Sequence, residues 1–437
     1  MKNSVFCFFV VILSIVTYNA TAQDAPYANP LTVEISRRMT KELLGPNSAS
    51  FMKPLVVVSN ATSNSRFFRQ AFVPSKVQKP YFKVGLHSMI GFVRDDQKTY
   101  TPIAPRATLN EVISDTAVWN VNLLTNSVTI KDTAGLVTDI LKYLFDKGLG
   151  VDSATSGMTF PKSAATVFGF QDGRLNLSGD YFVKQLKGGD QMLSLAFSKL
   201  NPAAQDTILN AISKLPSSFA LPTGGNVNTV FAAIPQIEIG SLWGTELLIR
   251  LIPSIKLDKN IGNFSFWGIG LKHSISQYFT PKDTEKKPWC DVAIQAVYQG
   301  TSLENKVGVT NAELKSDATI WDANIHASKS ISGIIDVYTG FSYEKISINS
   351  SYKYLLPVEL QMQLGLLRHF PIDTIPYAEP EKGYPGDTKP QTVTSSLTDT
   401  NAKWIIGLAK EFGPVAVFAD YSISKFNIFS AGIEVSF

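Results

Sequence analysis

Apolar and polar residues alternate with a period of two along most of the chain. At its end Phe429, Ala431, Ile433, Val435 and Phe437 fall on one face and Ser430, Gly432, Glu434 and Ser436 on the other, as in a strand with two unlike faces. The segment before it places Val415, Val417, Ala419, Tyr421 and Ile423 against Asp420, Ser422 and Ser424. One step further back, Trp404, Ile406 and Leu408 alternate with Lys403, Gly407 and Ala409. Short turns at Lys425-Phe426-Asn427 and Gly413-Pro414 join these three strands into a meander.

The same signature recurs upstream. Leu247, Ile249 and Leu251 alternate with Glu246, Leu248 and Arg250; Trp267, Ile269, Leu271 and Ile275 with Gly268, Gly270, Lys272, Ser274 and Ser276. Val292, Ile294, Ala296 and Tyr298 follow, then Trp321, Ala323 and Ile325 against Asp322, Asn324 and His326, and Ile335, Val337, Phe341 and Tyr343 against Asp336, Gly340, Ser342 and Glu344. Phe82, Val84, Leu86, Ile90 and Phe92, alternating with Lys83, Gly85, His87 and Gly91, read as the first strand.

Three segments carry a helical period instead. Asn29-Pro30 offers a cap followed by proline at the first helical position, with Leu31, Ile35, Met39 and Leu43 on one face up to Gly45-Pro46. Asn201-Pro202 repeats the signal ahead of Ile208, Leu209, Ile212 and Leu215, and Leu136, Ile140 and Leu144 mark a third helix over about 133–148. The polar stretch 371–401, rich in proline, glycine, threonine and aspartate, reads as a long exposed loop.

A β-barrel closes all its backbone hydrogen bonds between strands and can therefore cross a membrane without any apolar helix. Alternation predicts an all-β fold: one transmembrane antiparallel barrel of about fourteen strands over 79–437, with helical insertions near 133–148 and 201–215, behind an N-terminal helical plug or periplasmic segment over 23–78. The start reads as a secretory signal over 1–22, with Lys2, an apolar run at 5–16 and the small-residue site Ala20-Thr21-Ala22 before Gln23.

Composition narrows the alternatives. Charged residues make up 17% and aromatics 11%, against about 25% charged in typical soluble domains. The net charge of +4, or about +3 without Lys2, is far from the basic balance of a nucleic-acid binder. Without the signal, Cys290 has no partner for an intrachain disulfide. A soluble β-sandwich offers the same alternation, with its charged face wetted. Aromatics near strand ends, such as Tyr81, Phe92, Phe264 and Tyr278, favour the interfacial girdles of an outer-membrane barrel, although each alone could be core packing.

On the barrel reading Lys83, His87, Glu246, Arg250, Lys272, Asp336, Glu344, Asp420 and Glu434 face the lumen, and Phe437 ends an assembly signal for barrel-assembly machinery. Glu246 and Arg250, four apart on one face, are a candidate ion pair. His87, His273, His326 and His369 lack zinc-site spacing, and no nucleophile elbow, phosphate-binding loop or dinucleotide fingerprint occurs. The expectation is therefore no catalytic residue, no metal and no cofactor. An esterase or acyltransferase assembled from separated Ser and His residues is the enzymatic alternative. Expected partners are outer-membrane lipid, the assembly machinery and a small hydrophobic ligand, with no nucleic acid.

Several stretches carry a resemblance: Gly244-Thr245-Glu246-Leu247-Leu248-Ile249-Arg250-Leu251-Ile252-Pro253, Trp267-Gly268-Ile269-Gly270-Leu271-Lys272-His273-Ser274-Ile275 and Ser430-Ala431-Gly432-Ile433-Glu434-Val435-Ser436-Phe437. With Ala165-Thr166-Val167-Phe168-Gly169 and Pro235-Gln236-Ile237-Glu238-Ile239-Gly240 in order, the chain resembles an uncharacterised family of Gram-negative outer-membrane proteins labelled a domain of unknown function. In architecture it is also similar to the long-chain fatty-acid transporter (FadL-like) barrels. That likeness implies a channel or transporter for small, hydrophobic molecules; the alternative is a surface or secretion-associated scaffold in which the 371–401 loop binds a partner.

Overall fold

The computed structural model describes residues 28–75, 77, 79–122, 127–258, 262–279, 289–307, 312–369 and 376–437, so the expected signal over 1–22 lies outside the described residues. Ten antiparallel strands close into a barrel. They are β1 (Tyr81–Phe92), β2 (Thr229–Leu242), β3 (Thr245–Asp258), β4 (Gly262–Ser274), β5 (Asp291–Val307), β6 (Ala312–Ile331), β7 (Ile335–Tyr354), β8 (Gln391–Phe412), β9 (Val415–Ile423) and β10 (Ile428–Ser436). Each pairs with its neighbour in sequence, and β1 closes the ring by pairing with β10 from Lys83↔Ser436 to Gly91↔Ile428.

Ten strands replace the expected fourteen or so, for two physical reasons. Strands β6 and β7 run 20 residues and β8 runs 22, about twice the length a tilted strand needs to cross a bilayer. The chain between β1 and β2 adds no barrel strand and folds instead as a separate unit of helices and short two-stranded ribbons. The expected 371–401 loop is likewise shorter than its composition suggests. From Gln391 onward it is the first half of β8, where β-branched Thr392, Val393, Thr394 and Thr398 suit an extended backbone.

Along the barrel strands the outer face is apolar, and the inner face mixes charged residues such as Lys83, Glu246 and Lys403 with apolar ones such as Ile320 and Ile346. Leu86, Ile269, Tyr298 and Leu408 are all about half exposed on the outside, while their immediate neighbours are buried. One rim, the terminal end, carries the β2–β3, β4–β5, β6–β7 and β8–β9 links, the second of which spans 275–290. There Trp243 and Gly244 both have positive φ (49° and 75°), the backbone of a two-residue hairpin whose twist matches its strands. The opposite rim, the cap end, receives the segments 93–228 and 355–390.

Helix α1 (Pro30–Ser63) is 34 residues long and continues through Pro46 and Pro54, well beyond the expected stop at Gly45-Pro46. Asn29 caps it by accepting from the Thr32 amide at 3.1 Å. A proline inside a helix removes one amide donor, and near Pro46 side chains rebind the backbone: Asn47 donates to Leu43 O at 2.7 Å and to Ile103 O at 2.8 Å. Among the described residues no helix is long and apolar enough to cross a membrane.

The first half of α1 belongs to the cap. Val33, Ile35, Met39 and Leu43 share one buried core with Leu136, Ile140 and Leu144 of α2 (Thr133–Leu149), Ile208 and Ile212 of α4 (Pro202–Ser213), and Leu360 of α5 (Val358–Gln363); α3 (Gln191–Ser198) adds Leu193 and Phe197. Buried Arg37 also pairs with Asp387 at 2.7 Å, tying α1 to the 355–390 segment. The second half of α1 enters the barrel, where Val56 packs on Ile320 and Ile346.

Candidate functional site

Beyond Ser63 the chain leaves α1 and crosses the lumen toward β1, and the wall residues that meet it form the candidate site. Period-two register delivers them: Lys83 and His87 from β1, Glu238 from β2, Glu246 and Arg250 from β3, Lys272 from β4, Gln299 from β5, Asp322 and His326 from β6, Glu344 from β7, Lys403 from β8, Asp420 from β9 and Glu434 from β10 are all buried. Buried charge is tolerated only when paired and hydrogen-bonded. Lys83 reaches Glu246 at 2.9 Å and Glu238 at 3.3 Å, Lys272 pairs with Glu246, and the Tyr81 hydroxyl donates to Glu246 at 2.6 Å. On the other side Lys403 pairs with Glu344, which also accepts from Asn401 at 2.8 Å.

Other wall groups bind the crossing segment through its backbone. Arg250 donates to the carbonyls of Ser63 at 2.9 Å, Ser65 at 2.7 Å and Arg66 at 2.7 Å, and lies over the Phe67 ring at 4.2 Å. Lys403 donates to Asn64 O at 2.7 Å, Gln299 to the Asn64 side chain at 2.9 Å, and His87 Nδ1 to Arg66 O at 2.8 Å. These donors satisfy carbonyls at and beyond the C-terminus of α1 that lack intrahelical partners.

The segment returns charge to the wall. Arg66 pairs with Asp420 and donates to the Tyr338 hydroxyl, with its guanidinium 3.9 Å from the centre of the Phe418 ring. Its φ of 62° is unfavourable for a residue other than glycine, so the surrounding bonds hold it there. Arg69 donates to Glu434 at 2.9 Å and to Glu411 at 2.8 Å. Phe68 stacks on the His326 ring at 3.9 Å, and the Ala71 amide donates to Ser328 at 2.8 Å. Gly340 allows this approach, since a Cβ there would lie 2.7 Å from both Phe68 and His326.

Lys83, Glu246 and Lys272 thus meet in one cluster, Arg250 and His87 bind the crossing backbone, Asp420 and Glu434 hold its arginines, and Glu344 pairs with Lys403. Asp336 lies half-buried at the start of β7, outside this network. Phe437 is exposed, its backbone extending the ladder to Phe82. Glu246 and Arg250 do not pair with each other, because four residues along a strand span about 13 Å. Glu238, Asp322 and Lys403 were within reach of the alternation, Glu238 through Ile237 and Ile239 beside it. Arg66 and Arg69 were not, since the extended 64–75 segment has no period. Among the described residues no cluster of His, Cys, Asp and Glu could hold a metal ion.

Toward the cap end lies a cavity of about 100 Å³ between α1 and the barrel wall. Leu44, Phe51 and Met52 of α1 face Tyr352 and Tyr354 of β7 across it, and Tyr100 from the cap also lines it.

The model of a family of unknown function (DUF6588) matches residues 1–437. No curated protein matches the chain. Among solved structures, OccK1 (OpdK) of Pseudomonas aeruginosa is similar at 8% identity over 84% of this chain and 99% of that chain, with a TM-score of 0.12. OpdK with vanillate gives the same values, and a further structure of the outer membrane protein OpdK gives 7% identity over 83% and 100% with a TM-score of 0.12.

Proposed function

We propose a function from the geometry of this chain, which belongs to the DUF6588 family of unknown function: it is an outer-membrane barrel that passes small, largely apolar molecules and is gated by its own N-terminal segment. The membrane setting is supported by the apolar outer belt, which is far larger than the exposed patches of soluble monomers. On this reading the cap end, which receives the segments 93–228 and 355–390, faces outward and the terminal end faces the periplasm.

The observation that carries the gating role is the crossing of the lumen by 64–75. Eight strands leave room for little more than side chains, and this ten-stranded barrel holds one added segment. That segment is held mainly by hydrogen bonds and ion pairs to wall side chains, which water can replace when it moves. The route then left would be lined by charged side chains and by apolar ones such as Leu248, Val297 and Ile405. No catalytic role is part of this proposal.

Planar-bilayer recording tests it. The intact protein should conduct little, and Arg66→Ser/Arg69→Ser, which loosens the segment, should show stepwise conductance. A loosened variant that inserts and folds yet stays closed would refute the gate. The folded cap favours the second reading, a surface scaffold, and such a closed variant would support it.

A further inference from the structure

We infer that the cavity between α1 and β7 is a binding site for a small neutral molecule with an apolar body and one hydrogen-bond-accepting group. This inference rests on the conduit reading and names its cargo and the place where that cargo is held.

Two hydroxyls define the chemistry. Those of Tyr100 and Tyr354 are both buried without a hydrogen-bond partner, and both residues line this cavity. Tyr354 is only 3% exposed, and its ring is stacked on that of Tyr352 with centres 5.4 Å apart. Burial alone pushes the Tyr100 phenol up to about 12. A buried hydroxyl left unpaired is costly, so two of them lining one apolar space call for an acceptor that enters it.

Charge and size narrow the class further. The remaining lining residues, including Leu44, Phe51, Met52 and Leu314, carry no charge, so an ionised ligand would be buried without compensation. A dry apolar cavity of about 150 Å³ accepts benzene. The space here, about 100 Å³, suits a small ring or a short alkyl chain whose acceptor points at the tyrosines. The occupant would press on the same helix whose end leads into the lumen-crossing segment.

The test uses fluorine NMR on the full chain in lipid nanodiscs, with 4-fluorophenol and fluorobenzene as probes. 4-Fluorophenol should bind more tightly than fluorobenzene. Tyr354→Phe, which removes an unpartnered hydroxyl and leaves the ring, should fold normally, weaken 4-fluorophenol about five- to tenfold and leave fluorobenzene unchanged; Tyr100→Phe should act likewise. Met52→Trp should fill the space and abolish both. Equal affinity for the two probes, or affinities indifferent to all three substitutions, would overturn the site. Conductance of Arg66→Ser/Arg69→Ser separates the two readings: binding without conductance upholds the site and removes the conduit, whereas conductance without binding removes the site alone.

Discussion

Arg69 donates through Nε to Glu434 at 2.9 Å, joining the segment that crosses the lumen to the strand that closes the barrel. Both side chains are almost fully buried. Arg69→Ala strands the Glu434 carboxylate and should cost about 3 kcal/mol or more. Arg69→Met combined with Glu434→Gln should cost less than the sum of the single changes. Urea unfolding in detergent across the double-mutant cycle reads this coupling; additive costs would mean that the pair does not act as a unit.

The outer and inner faces of β10 should respond in opposite ways. Ile433 is about half exposed on the outside, and Ile433→Arg should cost roughly 2 to 4 kcal/mol if it lies near the bilayer midplane. Ser436 stands opposite Lys83, and Ser436→Glu should be tolerated. Heat-modifiability gels of membrane extracts would show fewer folded barrels for the first variant and normal numbers for the second. Equal behaviour would argue against a lipid-facing belt.

Gly340→Ala places a methyl group against Phe68, His326 and the Ile325 carbonyl. Overpacking of this kind costs about 1 to 3 kcal/mol. The variant should melt earlier than the parent, and Phe68→Ala in the same chain should recover part of the loss. No recovery would place the strain in the wall and not at the crossing segment.

In the cap, burial alone would raise the Asp190 carboxyl, but the Lys147 ammonium, the Leu193 amide and the Tyr143 hydroxyl outweigh it and hold it below its ordinary value. A carboxyl depressed by folding adds stability above its unfolded value of about 3.9, and that stability is lost as pH falls through the folded value. The cap should therefore loosen below about pH 4, and Asp190→Asn should flatten the pH dependence. Circular-dichroism melts from neutral pH to strong acid would test both.

What the sequence made legible follows its physics. Alternation depends only on which face a residue turns to, so strands such as β4 and β9 were readable without knowledge of their neighbours. The caps at Asn29-Pro30 and Asn201-Pro202 announced α1 and α4 because capping is local. The length of β8 was not legible, since its serine- and threonine-rich half has the composition of a loop and becomes strand by pairing with β7. Nor was the crossing segment, whose conformation is set by Arg250, Lys403 and Gln299 on strands far away in sequence.

The ring formed by β1 and β10 encloses a segment that precedes both in the chain, and the Arg69–Glu434 contact spans 365 positions. Enclosure imposes an order on biogenesis. Either the sheet curls around residues 64–75 while still open, with the final seam sealing them in, or the segment is drawn through as an unstructured thread before the cap condenses on α1. The first route makes the last seam a late step with high contact order, and a chain stalled before it would expose the buried charges of the lumen at once.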